Sequence, residues 1–130
     1  MNPERLVHHK LCFGCGRTNL FGLLMEIEPV SEDRVRGRGF IKQDHQGPER
    51  RAAHEGIVLA ALSEAMSLAC GLGVRPRQVE LQVHQTAPVG AFIDVEAEAE
   101  KAAGDRWEAS ATARVEGRPV ASAQGVYARD

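Results

Sequence analysis

Residues 54–71 read HEGIVLAALSEAMSLACG, and this stretch decides the fold. From Glu55 to Cys70 no proline interrupts a run rich in Ala, Leu and Met, all good helix formers, and Gly71 and Gly73 supply a stop. A strand is seldom this long, so length selects a helix. Apolar residues cover most of its circumference, which implies burial on nearly all sides. One stripe differs: positions 56, 60, 63, 64, 67 and 71 are Gly, Ala, Ser, Glu, Ser and Gly, small and polar.

Beyond the helix the period becomes two. Val79, Leu81 and Val83 alternate with Glu80, Gln82 and His84, and Ile93, Val95, Ala97 and Ala99 alternate with Asp94, Glu96, Glu98 and Glu100. Trp107 to Val115 continues the pattern, Gly117 turns the chain, and a last strand runs from about Pro119 to Ala128. Such alternation marks strands with one wet face and one buried face. Turn residues at 88–90, 103–105 and 117 predict an antiparallel meander. Before the helix, Leu24 to Pro29 and Arg34 to Ile41 read as two strands around a polar turn at 30–33, while residues 1–23 and 42–53 read as irregular.

The sum is an α+β chain in which an antiparallel sheet of about six strands must cover its apolar face with one helix. A curved sheet wrapped around a central helix satisfies this. No linker or repeat divides the chain, so residues 1–130 are expected to form a single domain. The 43% hydrophobic and 26% charged fractions are those of an ordinary globular protein. A net charge of -2 gives no reason to expect nucleic acid or an anionic membrane as partner. No apolar run is long enough to span a bilayer, the Met1–Lys10 stretch is too polar for a secretory leader, and three cysteines suit a reducing, cytoplasmic setting.

Three motifs resemble the acyl-CoA thioesterases of the hotdog superfamily, in the phenylacetic-acid thioesterase-like branch. They are Cys12-Phe13-Gly14-Cys15-Gly16 with Asn19 and Gly22-Leu23, the HEGIVLAALSEAM segment beginning at His54, and Pro88-Val89-Gly90. The resemblance implies a hotdog homodimer, often paired again into a tetramer, with active sites at the dimer interface. It further implies an acyl-CoA substrate and no cofactor. The helix amino terminus, through the N–H groups of Glu55 and Gly56, is then expected to bind the thioester carbonyl, since first-turn N–H groups lack intrahelical partners. The family's acid falls at Ser63, one place before Glu64, and Glu55 stands where the family has Gly.

Candidate catalytic residues are therefore Gln46, His54, Glu55, Gly56, Ser63, Glu64 and Ser67. Gln46 is expected to polarise the thioester or orient water, and Glu64, buried on the helix, to have a raised pKa suited to a general base. Ser63 and Ser67 offer hydroxyls, with close packing as the alternative role for Ser63. Glu55 either complements the helix dipole or replaces the missing acid, and His54 either begins the helix or touches ligand. Arg50 with Arg51, and Arg75 with Arg77, are the basic pairs for the phosphates of coenzyme A. Loss of the acid at 63 leaves a non-catalytic acyl-CoA-binding protein as the alternative function.

Cys12 and Cys15 form a CxxC, but zinc wants four ligands and only His8 and His9 lie nearby in sequence, with no second CxxC. No metal site is expected on that count. The two histidines read as a solvated terminus.

Overall fold

The computed structural model describes residues 5–129; Met1 to Glu4, part of the stretch read for a leader, and Asp130 lie outside it. The helix α1 spans Glu55–Cys70, as its sequence predicts. Gly71 ends it at φ 125°, a conformation that disfavours any residue with a Cβ, and donates its N–H to Ser67 O at 3.0 Å. Strands β1 (Glu26–Ser31) and β2 (Arg34–Phe40) precede the helix, and β3 (Val74–Val83), β4 (Phe92–Lys101), β5 (Arg106–Val115) and β6 (Arg118–Arg129) follow it.

All neighbouring strands pair antiparallel, in the order β1-β2-β4-β5-β6-β3. The expected meander is thus correct for β4 to β6 and wrong for β3. That strand lies at the far edge beside β6, and β4 returns to pair with β2. Alternation reveals which face of a strand is buried, but not which neighbour it takes. The Pro88–Gly90 segment is accordingly not a hairpin. It is stitched to the chain before the helix by Ala53 N to Ala87 O (2.8 Å), Val89 N to Arg51 O (2.9 Å) and Gly90 N to Ile41 O (2.8 Å).

Two boundaries also move. β1 runs through Val30 to Ser31, so the first turn is only Glu32-Asp33. β3 begins at Val74, five residues before the alternation becomes legible, because Pro76 and two arginines mask it. Proline is tolerated there because the strand is an edge, with a bulge between Pro76 and Gln78.

The inner face of the sheet carries Ile93, Val95, Ala97, Ala99, Trp107, Ala109, Ala111, Ala113, Ala121 and Ala123, all buried. So many alanines keep that surface shallow and let α1 lie close, which is how a core with few aromatics fills its space. From the helix, Val58, Ala61, Leu62, Ala65, Met66, Leu68 and Ala69 are buried against it. Leu62 and Met66 are fully enclosed, each burial contributing roughly 1.5–3 kcal/mol. Enclosure is complete only toward the carboxyl end. His54, Glu55 and Gly56 are exposed, and Ile57, Leu59 and Ala60 are half-covered. No helix among the described residues is long and apolar enough to cross a membrane.

Candidate functional site

The amino terminus of α1 is presented by a braced loop. His45 is 3% exposed: its Nδ1 accepts from Lys42 N (3.0 Å), its Nε2 lies 3.2 Å from Phe21 O, and its carbonyl accepts from His54 N (2.8 Å). It pins the N-terminal segment and the loop to the start of the helix. Nothing in the sequence singles it out, since the partners are main-chain atoms from two distant segments. Gln46, expected to face the substrate, instead spends its amide on this loop. Its Nε2 donates to Gln43 O (3.0 Å) and its Oε1 accepts from Arg51 N (2.7 Å), which steadies Arg51 at φ 66°.

His54 caps the helix, its Nδ1 accepting from Gly56 N at 2.8 Å. The expectation that Glu55 and Gly56 together hold a carbonyl is corrected here, because the Gly56 donor is already used by the cap. Ile57 N and Val58 N turn to His54 O. The Glu55 N–H remains as the first-turn donor without an intrahelical acceptor. No hydrogen bond or ion pair of the Glu55 carboxylate is seen among the described residues, and that side chain lies at the exposed mouth.

The small polar stripe of α1 has a different occupant. The N-terminal segment lies along it, and Gly14 sits so near that a Cβ there would fall 2.5 Å from the Glu64 carboxyl. Glu64 Oε2 is 2.7 Å from His8 Nδ1, and the Cys12 thiol donates toward both carboxylate oxygens at 3.5 and 3.6 Å. Burial pushes the Glu64 carboxyl up as expected. Hydrogen bonds from His8 and Cys15, with the His8 charge, outweigh it and hold the carboxyl below its ordinary value. The reading of Glu64 as a base with a raised pKa is therefore reversed. His8 moves up, chiefly through its hydrogen bond to Glu64 and against the pull of burial, and burial first, then Glu64, pushes the Cys15 thiol up. His8 is half-buried rather than a solvated terminus, whereas His9 is exposed.

Ser63 Oγ lies 2.9 Å from the hydroxyl of Tyr127, which also donates to Ser63 O at 3.3 Å. Burial pushes the Tyr127 phenol up to about 12, so near neutral pH it is a donor and cannot activate Ser63 as a base. Tyr127 was not among the sequence candidates, although alternation along β6 from Ala121 through Ala123 points it inward. Ser67 is buried, donates to Val74 O (2.9 Å) and approaches His8 Nε2 at 3.4 Å. These contacts take both serines away from the helix mouth.

The basic pairs separate. Arg50 and Arg51 are exposed in the loop leading to the helix amino end, while Arg75 and Arg77, also exposed, follow its carboxyl end. A 16-residue helix is about 24 Å long, so only the first pair lies beside the mouth within one chain. An open hollow of about 740 Å³ on the outer face of the sheet is lined by Glu80, Glu98, Glu100 and Glu108, the wrong charge for polyphosphate.

A long helix held in a curved six-stranded antiparallel sheet, with a capped amino end at the rim, is the hotdog fold. Solved structures that the chain resembles include proteins described as thioesterases. One thioesterase-superfamily protein superposes with a TM-score of 0.82 at 18% identity over 92% of this chain, which spans only 60% of that protein's length. The PaaI protein of the E. coli phenylacetic acid degradation operon gives 0.74 at 14% identity, over 81% of this chain and 82% of that one. Zebra fish thioesterase superfamily member 2 gives 0.72 at 13% identity, over 82% and 81%. No family model and no curated protein matches the sequence.

Proposed function

We propose that the protein is a thioester hydrolase acting on an acyl-CoA, with its site at the amino end of α1 and completed by a second copy of the chain. The observation that carries this is the pairing, at the exposed helix mouth, of the Glu55 N–H and the Glu55 carboxylate. The N–H, with the helix dipole behind it, stabilises the oxyanion as water attacks the carbonyl. The carboxylate takes the proton from that water, so its charge is neutralised as the oxyanion forms. Collapse expels the thiolate of coenzyme A. Exposed Arg50 and Arg51, in the loop that leads to this mouth, support the reading by offering positive charge for the phosphates of coenzyme A. Free Cys12, Cys15 and Cys70 suit a reducing, cytoplasmic setting.

Dimerisation through β3 fits the sheet edges. β1 is shielded in the usual way, with Pro29, a bulge and the ion pairs Arg5–Glu26 and Arg36–Glu28. β3 carries half-buried Val79 and Leu81, packed against the core, with exposed Val83 in the same alternation, and Ile57 and Ala60 of α1 are likewise only half-covered. A second β3 would cover this face and wall in the helix mouth.

One specific observation favours binding without hydrolysis: Gly56 N, the Gln46 amide, Ser63 and Glu64 all have partners within the chain. A steady-state assay across short, medium and aromatic acyl-CoAs separates the readings. Turnover above buffer for at least one class is expected. Tight binding of the same thioesters with no release of free thiol would establish the binding protein instead.

A further inference from the structure

The CxxC of the N-terminal segment finds its missing partner on the helix. His8 Nδ1, the sulfurs of Cys12 and Cys15, and a Glu64 carboxylate oxygen all lie within 4.8 Å of one another. Around a tetrahedral zinc, with bonds of about 2.3 Å to sulfur and 2.0–2.1 Å to nitrogen or oxygen, ligand atoms are separated by roughly 3.4–3.8 Å. The structure has Cys12 Sγ to His8 Nδ1 at 3.8 Å, Cys15 Sγ to His8 Nδ1 at 3.6 Å and Cys12 Sγ to Glu64 Oε2 at 3.5 Å. The His8–Glu64 edge, closed by a hydrogen bond at 2.7 Å, would have to open by about 0.7 Å. We propose that His8, Cys12, Cys15 and Glu64 form a structural site for one zinc-like divalent cation, which ties the N-terminal segment to the middle of α1.

The surroundings support this set. Ser67 Oγ approaches the other imidazole nitrogen of His8 at 3.4 Å while held by Val74 O, the kind of outer contact that fixes a ligating ring. The backbone N–H of His8 donates to Cys15 Sγ at 3.2 Å, a contact that would help hold the thiolate a bound cation requires. The loop is shaped for close approach: a Cβ on Gly16 would fall within 2.6 Å of Cys12 backbone atoms, and one on Gly14 would strike Glu64. Two other readings of the same atoms fail on geometry. A nucleophilic Cys–His–Glu relay needs the thiol and the carboxylate on different ring nitrogens, yet both approach Nδ1. A redox dithiol sits where positive potential favours thiolate, whereas here a carboxylate adjoins the thiols and Cys15 is 2% exposed. Four protein ligands leave no open position, so the cation would be structural rather than catalytic.

The test is metal content of the full chain purified without chelator, then exposed to zinc and washed. About one zinc per chain is expected. A chelated sample given cobalt should show thiolate-to-metal charge-transfer absorption and the strong visible bands of tetrahedral coordination. The double variant Cys12→Ser, Cys15→Ser should lose both signals, Glu64→Gln should weaken binding, and Cys70→Ser should retain it. Folded wild-type protein that binds neither metal would overturn the site, and the cobalt spectrum of the wild type decides even where the double variant does not fold. Undiminished binding in Glu64→Gln would remove the helix ligand from the proposal. Because metal is read directly, the outcome is independent of whether any thioester is hydrolysed.

Discussion

Glu55→Gln is expected to lower kcat for acyl-CoA hydrolysis by about 100- to 10,000-fold, the usual worth of a positioned general base. The substitution keeps size and hydrogen-bonding shape and leaves the backbone N–H in place, so KM should change little. Stability should fall only by the loss of one favourable charge in the first helical turn, about 0.3–1 kcal/mol. The structure directs attention to this residue by elimination. Glu64 is tied to His8 and Cys12, Ser63 to Tyr127, and Gln46 to its own loop. Steady-state kinetics on the best substrate of the panel checks it. Full kcat in Glu55→Gln would move the base elsewhere, and Ser63→Ala and Glu64→Gln would then be the variants to compare.

The second large effect concerns assembly. Leu81→Glu places a charge on the half-buried face of β3, beside Val79 and Val83. In a dimer built on that edge the charge would be buried without a partner, at a cost of several kcal/mol. Since each 1.4 kcal/mol is tenfold, the dimer should weaken by about 100-fold or more. Sedimentation would then find monomers where the wild type is dimeric, with far-UV circular dichroism retained and thioester turnover lost together with the partner. A variant that stays dimeric with unchanged activity would place the interface on another surface.

How much of this is legible from the amino acids differs by element. The helix could be read to the residue, because composition, length and the terminal glycines all agree. The inner faces of β4 and β5 could be read as well, since their alternation is unbroken. The place of β3 could not, because pairing is settled by chain crossing and by what the loop at 87–91 docks against. Candidate residues show the same limit. The HEG turn was identified correctly as the helix amino terminus, but whether Gly56 N is available depends on a His54 rotamer that no pattern encodes. The CxxC lacked a fourth ligand only when neighbours in sequence were counted. Glu64 lies 52 residues beyond Cys12 and reaches it because Gly14 lets the loop rest on the small polar stripe of α1.

The central claim is that the exposed first turn of an otherwise enclosed helix grips an acyl carbonyl. The most direct measurement is backbone amide NMR of the protein titrated with an unreactive coenzyme A ketone, in which a methylene separates sulfur from the carbonyl. A large shift of the Glu55 amide toward lower field, with smaller changes at Arg50 and Arg51, is the result this account predicts. Saturating binding that leaves Glu55 unmoved and perturbs the outer face of the sheet would contradict it.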